Sequence, residues 1–153
     1  MIYKRDPGFL GIPIRDDYCA KMLFQKTMPH TIGVGFTDHH GFHRKRVNVT
    51  CSHITFVGKG KDQTTIRGGF EVTNQQHVKF EELTITNQSG HGLYLRGSET
   101  NVDVLKCVVK ECRWTGMYVY DGATVTATQC EFMENGSCGV YCSGVLVQIQ
   151  KQD

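Results

Sequence analysis

Residues 78–97, VKFEELTITNQSGHGLYLRG, hold three short runs in which apolar and polar residues alternate. Val78 and Phe80 form the first apolar pair, Leu83 and Ile85 the second, Leu93 and Leu95 the third. A period of two belongs to strands with one buried face. The pattern returns from Val102 and again from Val125, at spacings of 24 and 23 residues. The matching pairs are Val102/Val104, Cys107/Val109 and Met117/Val119, then Val125/Ala127, Cys130/Phe132 and Val140/Cys142. A glycine opens each third run (Gly92, Gly116, Gly139) and another closes each unit (Gly97, Gly122, Gly144). A fainter copy starts at Val49, with Ile54/Phe56 at the second-run positions and Ile66 and Gly68 in the third. Self-similarity at this period marks a solenoid.

The runs lie too close together for a helix between them, so each unit is a triangular coil of three strands. Stacked coils put each strand beside its counterpart, parallel and about 4.8 Å away. The rest of the coil serves as the long crossover that parallel pairing needs, and such crossovers are right-handed. The expectation is an all-β chain: a right-handed parallel β-helix of about four to five coils with a short N-terminal cap.

Residues 54–68, ITFVGKGKDQTTIRG, resemble the early strands of pectin-lyase-like β-helix proteins, pectin methylesterases among them. The downstream units resemble the generic right-handed β-helix repeat, and the likeness spans Val47 to Gly144. The resemblance implies architecture more than chemistry, because this fold carries lyases, hydrolases, esterases, tail spikes and inert scaffolds alike.

The length of 153 residues suits one domain. Residues 1–46 lack the repeat and read as a cap, with a short helix from Asp16 or Asp17 to Lys26 presenting Tyr18, Cys19, Met22 and Leu23 on one face. Residues 47–153 read as the solenoid. The formal charge of +2 gives no case for nucleic acid, and His43-Arg44-Lys45-Arg46 reads as a solvated loop. The sequence shows no leading apolar stretch and no apolar run long enough for a membrane span. Cys107, Cys130 and Cys142 fall at inward positions of successive coils, which suits reduced core thiols and leans towards an intracellular protein. Cys112 and Cys138 fall in turns and are candidates for reactivity. Asn48, Asn87 and Asn135 each begin an N-x-Ser/Thr sequon, a weak pointer the other way. Beyond Gly144, Val145, Val147 and Ile149 read as the opening strand of one more coil, so the far end is expected to self-associate or to continue into a longer solenoid.

The leading surface feature is the outward side of the third strand. Tyr94, Tyr118 and Tyr141 recur at one offset, preceded by Thr65 in the fainter copy. Arg67, Arg96, Tyr120 and Ser143 recur at the next outward offset, and Trp114 lies in the turn just before. Aromatic rings suit the apolar faces of sugars, and guanidinium groups suit carboxylates. The candidate ligand-binding set is therefore Tyr94, Tyr118, Tyr120, Tyr141, Arg67, Arg96 and Trp114, for a glycan or a protein partner, with the central Tyr118 mattering most. The competing reading is plain cross-strand stacking.

No catalytic residues are assigned. Gly90-His91-Gly92 resembles the Gly-His-Gly element of polygalacturonases, but Thr73-Asn74-Gln75-Gln76 upstream offers no acid pair. The close carboxylate pair of pectin methylesterases and the acidic cluster of a calcium site are both missing. Asp103, Lys79 and Lys106 read as surface ion pairs. Asp38, His39 and His43 form the one candidate metal set, and no cofactor is expected. Gly58-Lys59-Gly60-Lys61-Asp62 lacks the Gly-Lys-Ser/Thr ending of a phosphate loop and reads as a turn. The Thr-x-Thr runs at 84–86 and 124–128 do not recur coil after coil, as an ice-binding array would require. The expectation is a non-catalytic binding or scaffold module; the alternatives are a polysaccharide-active enzyme, whole or in part, and a structural virion or assembly component.

Overall fold

The computed structural model describes residues 22–23, 30–33, 36–37, 43–44, 46–144 and 146–151. Among these every regular element is a strand. The first coil holds β1 (Met22–Leu23), β2 (His30–Gly33), a small antiparallel pair β3 (Phe36–Thr37) and β4 (His43–Arg44), and β5 (Arg46–Val49). The second holds β6 (Thr55–Val57), β7 (Thr64–Arg67) and β8 (Gly69–Thr73). The third holds β9 (Val78–Glu81), β10 (Thr84–Thr86) and β11 (Leu93–Arg96). The fourth holds β12 (Asn101–Leu105), β13 (Val108–Lys110) and β14 (Met117–Tyr120). The fifth holds β15 (Thr124–Thr128), β16 (Glu131–Met133) and β17 (Val140–Ser143), and β18 (Leu146–Gln150) opens another.

These strands stack as three parallel sheets. The first runs β1-β6-β9-β12-β15-β18, the second β2-β7-β10-β13-β16 and the third β5-β8-β11-β14-β17. The register of the strong repeats is the one their spacing predicts: Val78, Val102 and Val125 are neighbours, as are Ile85, Val109 and Phe132, and Leu93, Met117 and Val140. Inward residues of the three sheets fill one core, centred on Phe56, Phe70 and Phe80, whose ring centroids lie 4.8–5.2 Å apart.

The fainter copy is shifted by one strand from the expectation. Phe56 pairs with Phe80 on the first sheet, Ile66 with Ile85 on the second, and Phe70 with Leu93 on the third. Val47 and Val49 belong to the third sheet of the preceding coil. The cause is a long corner between β6 and β7, closed by the Gln63 and Thr64 amides donating to the Gly60 carbonyl. In later coils this corner is tight and carries a left-handed residue: Glu82, Lys106 and Gln129 have φ of 56°, 50° and 56°. Matching by spacing across a corner of different length slides the apolar pairs onto the wrong sheet.

The glycine that opens each third strand is demanded by stacking. A Cβ on Gly92 would stand 2.7 Å from the Gly116 carbonyl oxygen, and one on Gly116 would stand 2.6 Å from that of Gly139.

Parallel pairing begins well before position 47. Strand β1 pairs with β6 and β2 with β7, so Met22–Leu23 is strand rather than helix and the repeat-free stretch expected for 1–46 already contributes to the sheets. The remainder of the expected helix lies outside the described residues. Cys107 is buried, Cys130 is half-buried, and Cys142, although in register with Val119, is exposed because β17 is an edge strand. Cys112 is buried rather than open in its turn, and burial pushes its thiol up to about 11. Asn87 and Asn135 are structural. Asn87 Nδ2 donates to the His91 carbonyl while its Oδ1 accepts from Ser89, and Asn135 bridges the Val109 carbonyl and the Cys112 amide.

Candidate functional site

The outward face of the third sheet is laid out by register. One row reads Asn48, Glu71, Tyr94, Tyr118 and Tyr141, and the next outward row reads Thr73, Arg96, Tyr120 and Ser143. Six of the seven predicted ligand-binding residues meet here: Tyr94, Tyr118, Tyr120, Tyr141, Arg96 and Trp114. Arg67 does not. It sits on β7 opposite Thr86, on the second sheet, where Thr65 likewise pairs with Thr84. The one-strand shift of the fainter copy is the reason.

The tyrosine rings form a ladder. Tyr94 stacks on Tyr118 at 5.6 Å and 16°, and Tyr118 on Tyr141 at 4.7 Å and 13°. Near-parallel planes at strand spacing mean that each inner ring spends its faces on its neighbours. Tyr120 stands edge-on to Tyr118, 5.4 Å away. The central Tyr118 therefore has no free face for a sugar, contrary to the expectation that it matters most. The accessible aromatic surface is at the margins, where Trp114 is 50% and Tyr141 43% exposed.

His91 joins ladder and margin. Its ring lies 4.9 Å from Tyr118, 5.6 Å from Tyr94 and 5.1 Å, edge-on, from Trp114. Burial first, and more weakly the nearby Arg46 guanidinium, hold its imidazole below the usual histidine range against a Thr115 backbone contact that acts the other way.

Beyond Tyr94 lies a polar cluster. Arg46 binds Glu71 at 2.7 Å and places its guanidinium 5.6 Å from the centre of the Tyr94 ring. Arg96 approaches the other Glu71 oxygen at 3.8 Å and donates to Thr73 Oγ1 at 3.2 Å and to the Tyr120 hydroxyl at 3.4 Å. The Tyr94 and Tyr120 hydroxyls are 2.7 Å apart. Burial, with that bond, pushes Tyr94 up to about 12; the bond shared with Tyr94 and the one from Arg96 pull Tyr120 down. Either hydroxyl can be the donor in that bond. Donors and acceptors fixed this way can meet ring hydroxyls without reorganising.

Glu71, Arg46, Thr73 and His91 were not in the sequence-derived set. A signal for Glu71 and Thr73 existed. The five-residue motif GFEVT at 69–73 aligns with GLYLR at 92–96, GMYVY at 116–120 and GVYCS at 139–143, and its third residue is Glu71.

Of the candidate metal set, Asp38 and His39 lie outside the described residues, and His43 is on β4, paired with Thr37. Among the described residues no group of three or more His, Cys, Asp or Glu side chains is placed to hold a metal ion, and no helix is long and apolar enough to cross a membrane. The Gly58–Asp62 segment is a turn at the first-to-second-sheet corner, with Lys61 paired to Glu131 and Lys106 to Glu82 at 3.9 Å. Lys79 pairs with Glu81 at 3.3 Å rather than with its register neighbour Asp103.

Parallel sheets, three-strand coils and the repeat define a β-solenoid. The chain belongs to the right-handed β-helix family: the family described as "Right handed beta helix region" matches residues 18–146. No curated protein and no solved structure matches it.

Proposed function

We propose that this protein is a non-catalytic β-helix module that binds a glycan on the outward face of its third sheet. The observation that carries the reading is one outward row that runs from exposed Tyr141 through the stacked Tyr118 and Tyr94 to the Arg46–Glu71–Arg96 cluster, with exposed Trp114 at its margin against His91. Exposed aromatic surface offers a platform for the C–H faces of a sugar ring, and the polar groups at the Glu71 end of the row supply directional hydrogen bonds to the rest of the glycan chain. An enzymatic reading has less support, because the carboxylate in this row, Glu71, is already engaged by two arginines.

A glycan array followed by titration calorimetry tests the proposal. Binding that weakens on Trp114→Ala and on Tyr141→Ala, with melting little changed, supports it. An array without hits, or affinities indifferent to both substitutions, refutes it. A second reading, assembly with another copy, draws on the far end of the solenoid, where Cys142 and Ile149 are exposed beside half-buried Phe132, Val140 and Val147. Concentration-dependent sedimentation, abolished by Ile149→Lys, would support it.

A further inference from the structure

The turn that carries Trp114 rests on the corresponding turn of the preceding coil. The Arg113 amide donates to the Asn87 carbonyl at 2.8 Å, the Trp114 amide to that of Gly90 at 3.4 Å, and the Gly92 amide to that of Thr115 at 3.2 Å. The Thr115 amide is different. It donates to a side chain, Nδ1 of His91, at 3.2 Å, and Thr115 is buried at 3% exposure. A ring nitrogen accepts only through a free lone pair, so this bond requires neutral His91 with its proton on Nε2. Protonating Nδ1 sets one N–H against another and strips a buried amide of that acceptor.

We propose that His91 is a positioning residue whose neutral imidazole latches the Trp114 turn onto the aromatic face, and that its protonation releases the turn. The titratable and charged groups around the ring come from four strands: Tyr94 on β11, Tyr118 on β14, and Arg46 on β5, the last held by Glu71 on β8. Partial burial of the ring and, after it, the Arg46 charge oppose a second cation there and together outweigh the Thr115 backbone contact that favours one, so release belongs below the ordinary histidine value of 6.5. The extension of the latch to ligand affinity, with binding strong above the titration and weak below it, rests on the glycan-binding reading. The latch itself does not.

Trp114 is the single tryptophan, so its fluorescence reports on this turn alone. Acrylamide quenching is measured from about pH 8 to about pH 4.5, a range that brackets the histidine titration, on the free wild-type protein, His91→Gln and His91→Phe. Trp114 is already half exposed, so release raises the wild-type quenching constant by about twofold. Glutamine offers an untitratable acceptor, and its variant stays at the high-pH value throughout. Phenylalanine offers none, and its variant shows the low-pH value at every pH, with far-ultraviolet circular dichroism checking the fold. A flat wild-type constant, or the same titration in His91→Gln, overturns the latch. So does emission that falls with pH at constant acrylamide accessibility, which means that the imidazolium quenches the indole without moving it. If His91→Phe does not fold, the wild type and His91→Gln decide between these outcomes. Failure of the glycan-binding reading looks different: no binding above the titration, with the fluorescence titration intact.

Discussion

Tyr118 and Tyr141 stack at 4.7 Å with their planes 13° apart, and Tyr94 covers Tyr118 on the neighbouring strand of the same sheet. A ring enclosed in this way stabilises the sheet, and its edge is all that it offers a ligand. The face thus divides between an inner ladder that holds coils three to five together and outer rings, Trp114 and Tyr141, that stay exposed.

That division predicts opposite phenotypes. Tyr118→Ala removes stacking on Tyr94 and Tyr141, the edge contact with Tyr120 and the contact with His91. It should cost about 2 kcal/mol of stability, allowing for partial relaxation of the neighbours. Trp114→Ala removes an exposed ring and should change stability by no more than about 0.5 kcal/mol, while weakening glycan binding by about tenfold or more. Urea unfolding and calorimetry on the two variants check both halves.

The stacked glycines give a second prediction, independent of any ligand. Gly116→Ala would bring a methyl group to 2.6 Å from the Gly139 carbonyl oxygen and 2.7 Å from Asn135 Nδ2. The carbonyl is backbone and can move only if the whole coil moves. A loss of about 2 kcal/mol or more is expected, seen as a lower urea midpoint at unchanged slope. A variant as stable as the wild type would show that the coils slide past one another more freely than their register implies.

His91 gives stability a pH dependence of defined sign. Its proton affinity in the folded chain is lowered, by burial first, from the ordinary 6.5. As pH falls through 6.5 the unfolded chain takes up this proton while the folded chain does not, so stability falls with pH. The stabilisation is fully present above 6.5 and is lost by the time pH has dropped through the folded-state value. His91→Gln should flatten this part of the profile. Midpoints at a series of pH values, wild type against variant, provide the check.

How far the sequence carries depends on the length of the corners. From Val78 to Gly144 the coils are nearly equal, and counting residues places every inward position on its proper sheet. Before Val78 the Gly58–Gln63 corner breaks the count, so Arg67 is placed on the wrong face and Glu71 is overlooked. The third-strand motif alone survives that change, because the glycine and its alternating neighbours are fixed by stacking rather than by corner length. The face orientation of the rings is a different matter. Spacing shows that Tyr94, Tyr118 and Tyr141 are neighbours, whereas χ angles decide whether they offer faces or edges.

Thiol chemistry supplies the last prediction, and it sorts the cysteines by environment rather than by position in strand or turn. Burial pushes Cys107 up to about 12 and Cys112 up to about 11, while Cys142 is exposed and Cys138 half-buried, with its sulfur 3.6 Å from Thr115 Oγ1. The thiolate is the reactive form, so a buried thiol with a raised proton affinity is doubly protected. Brief iodoacetamide labelling of the native protein near pH 8, read peptide by peptide in a mass spectrometer, should modify Cys142 first and Cys138 more slowly. Cys107 and Cys112 should react only after unfolding. Cys130 is the informative intermediate. Its thiol is also raised by burial and bonds to the carbonyls of Val104 and Thr128, yet it is only half-buried, in the fifth coil. Protection of Cys130 and Cys142 that grows with protein concentration would mean that another copy covers this end. Labelling independent of concentration would count against assembly there. Early labelling of Cys107 would contradict the inward register of the second sheet itself.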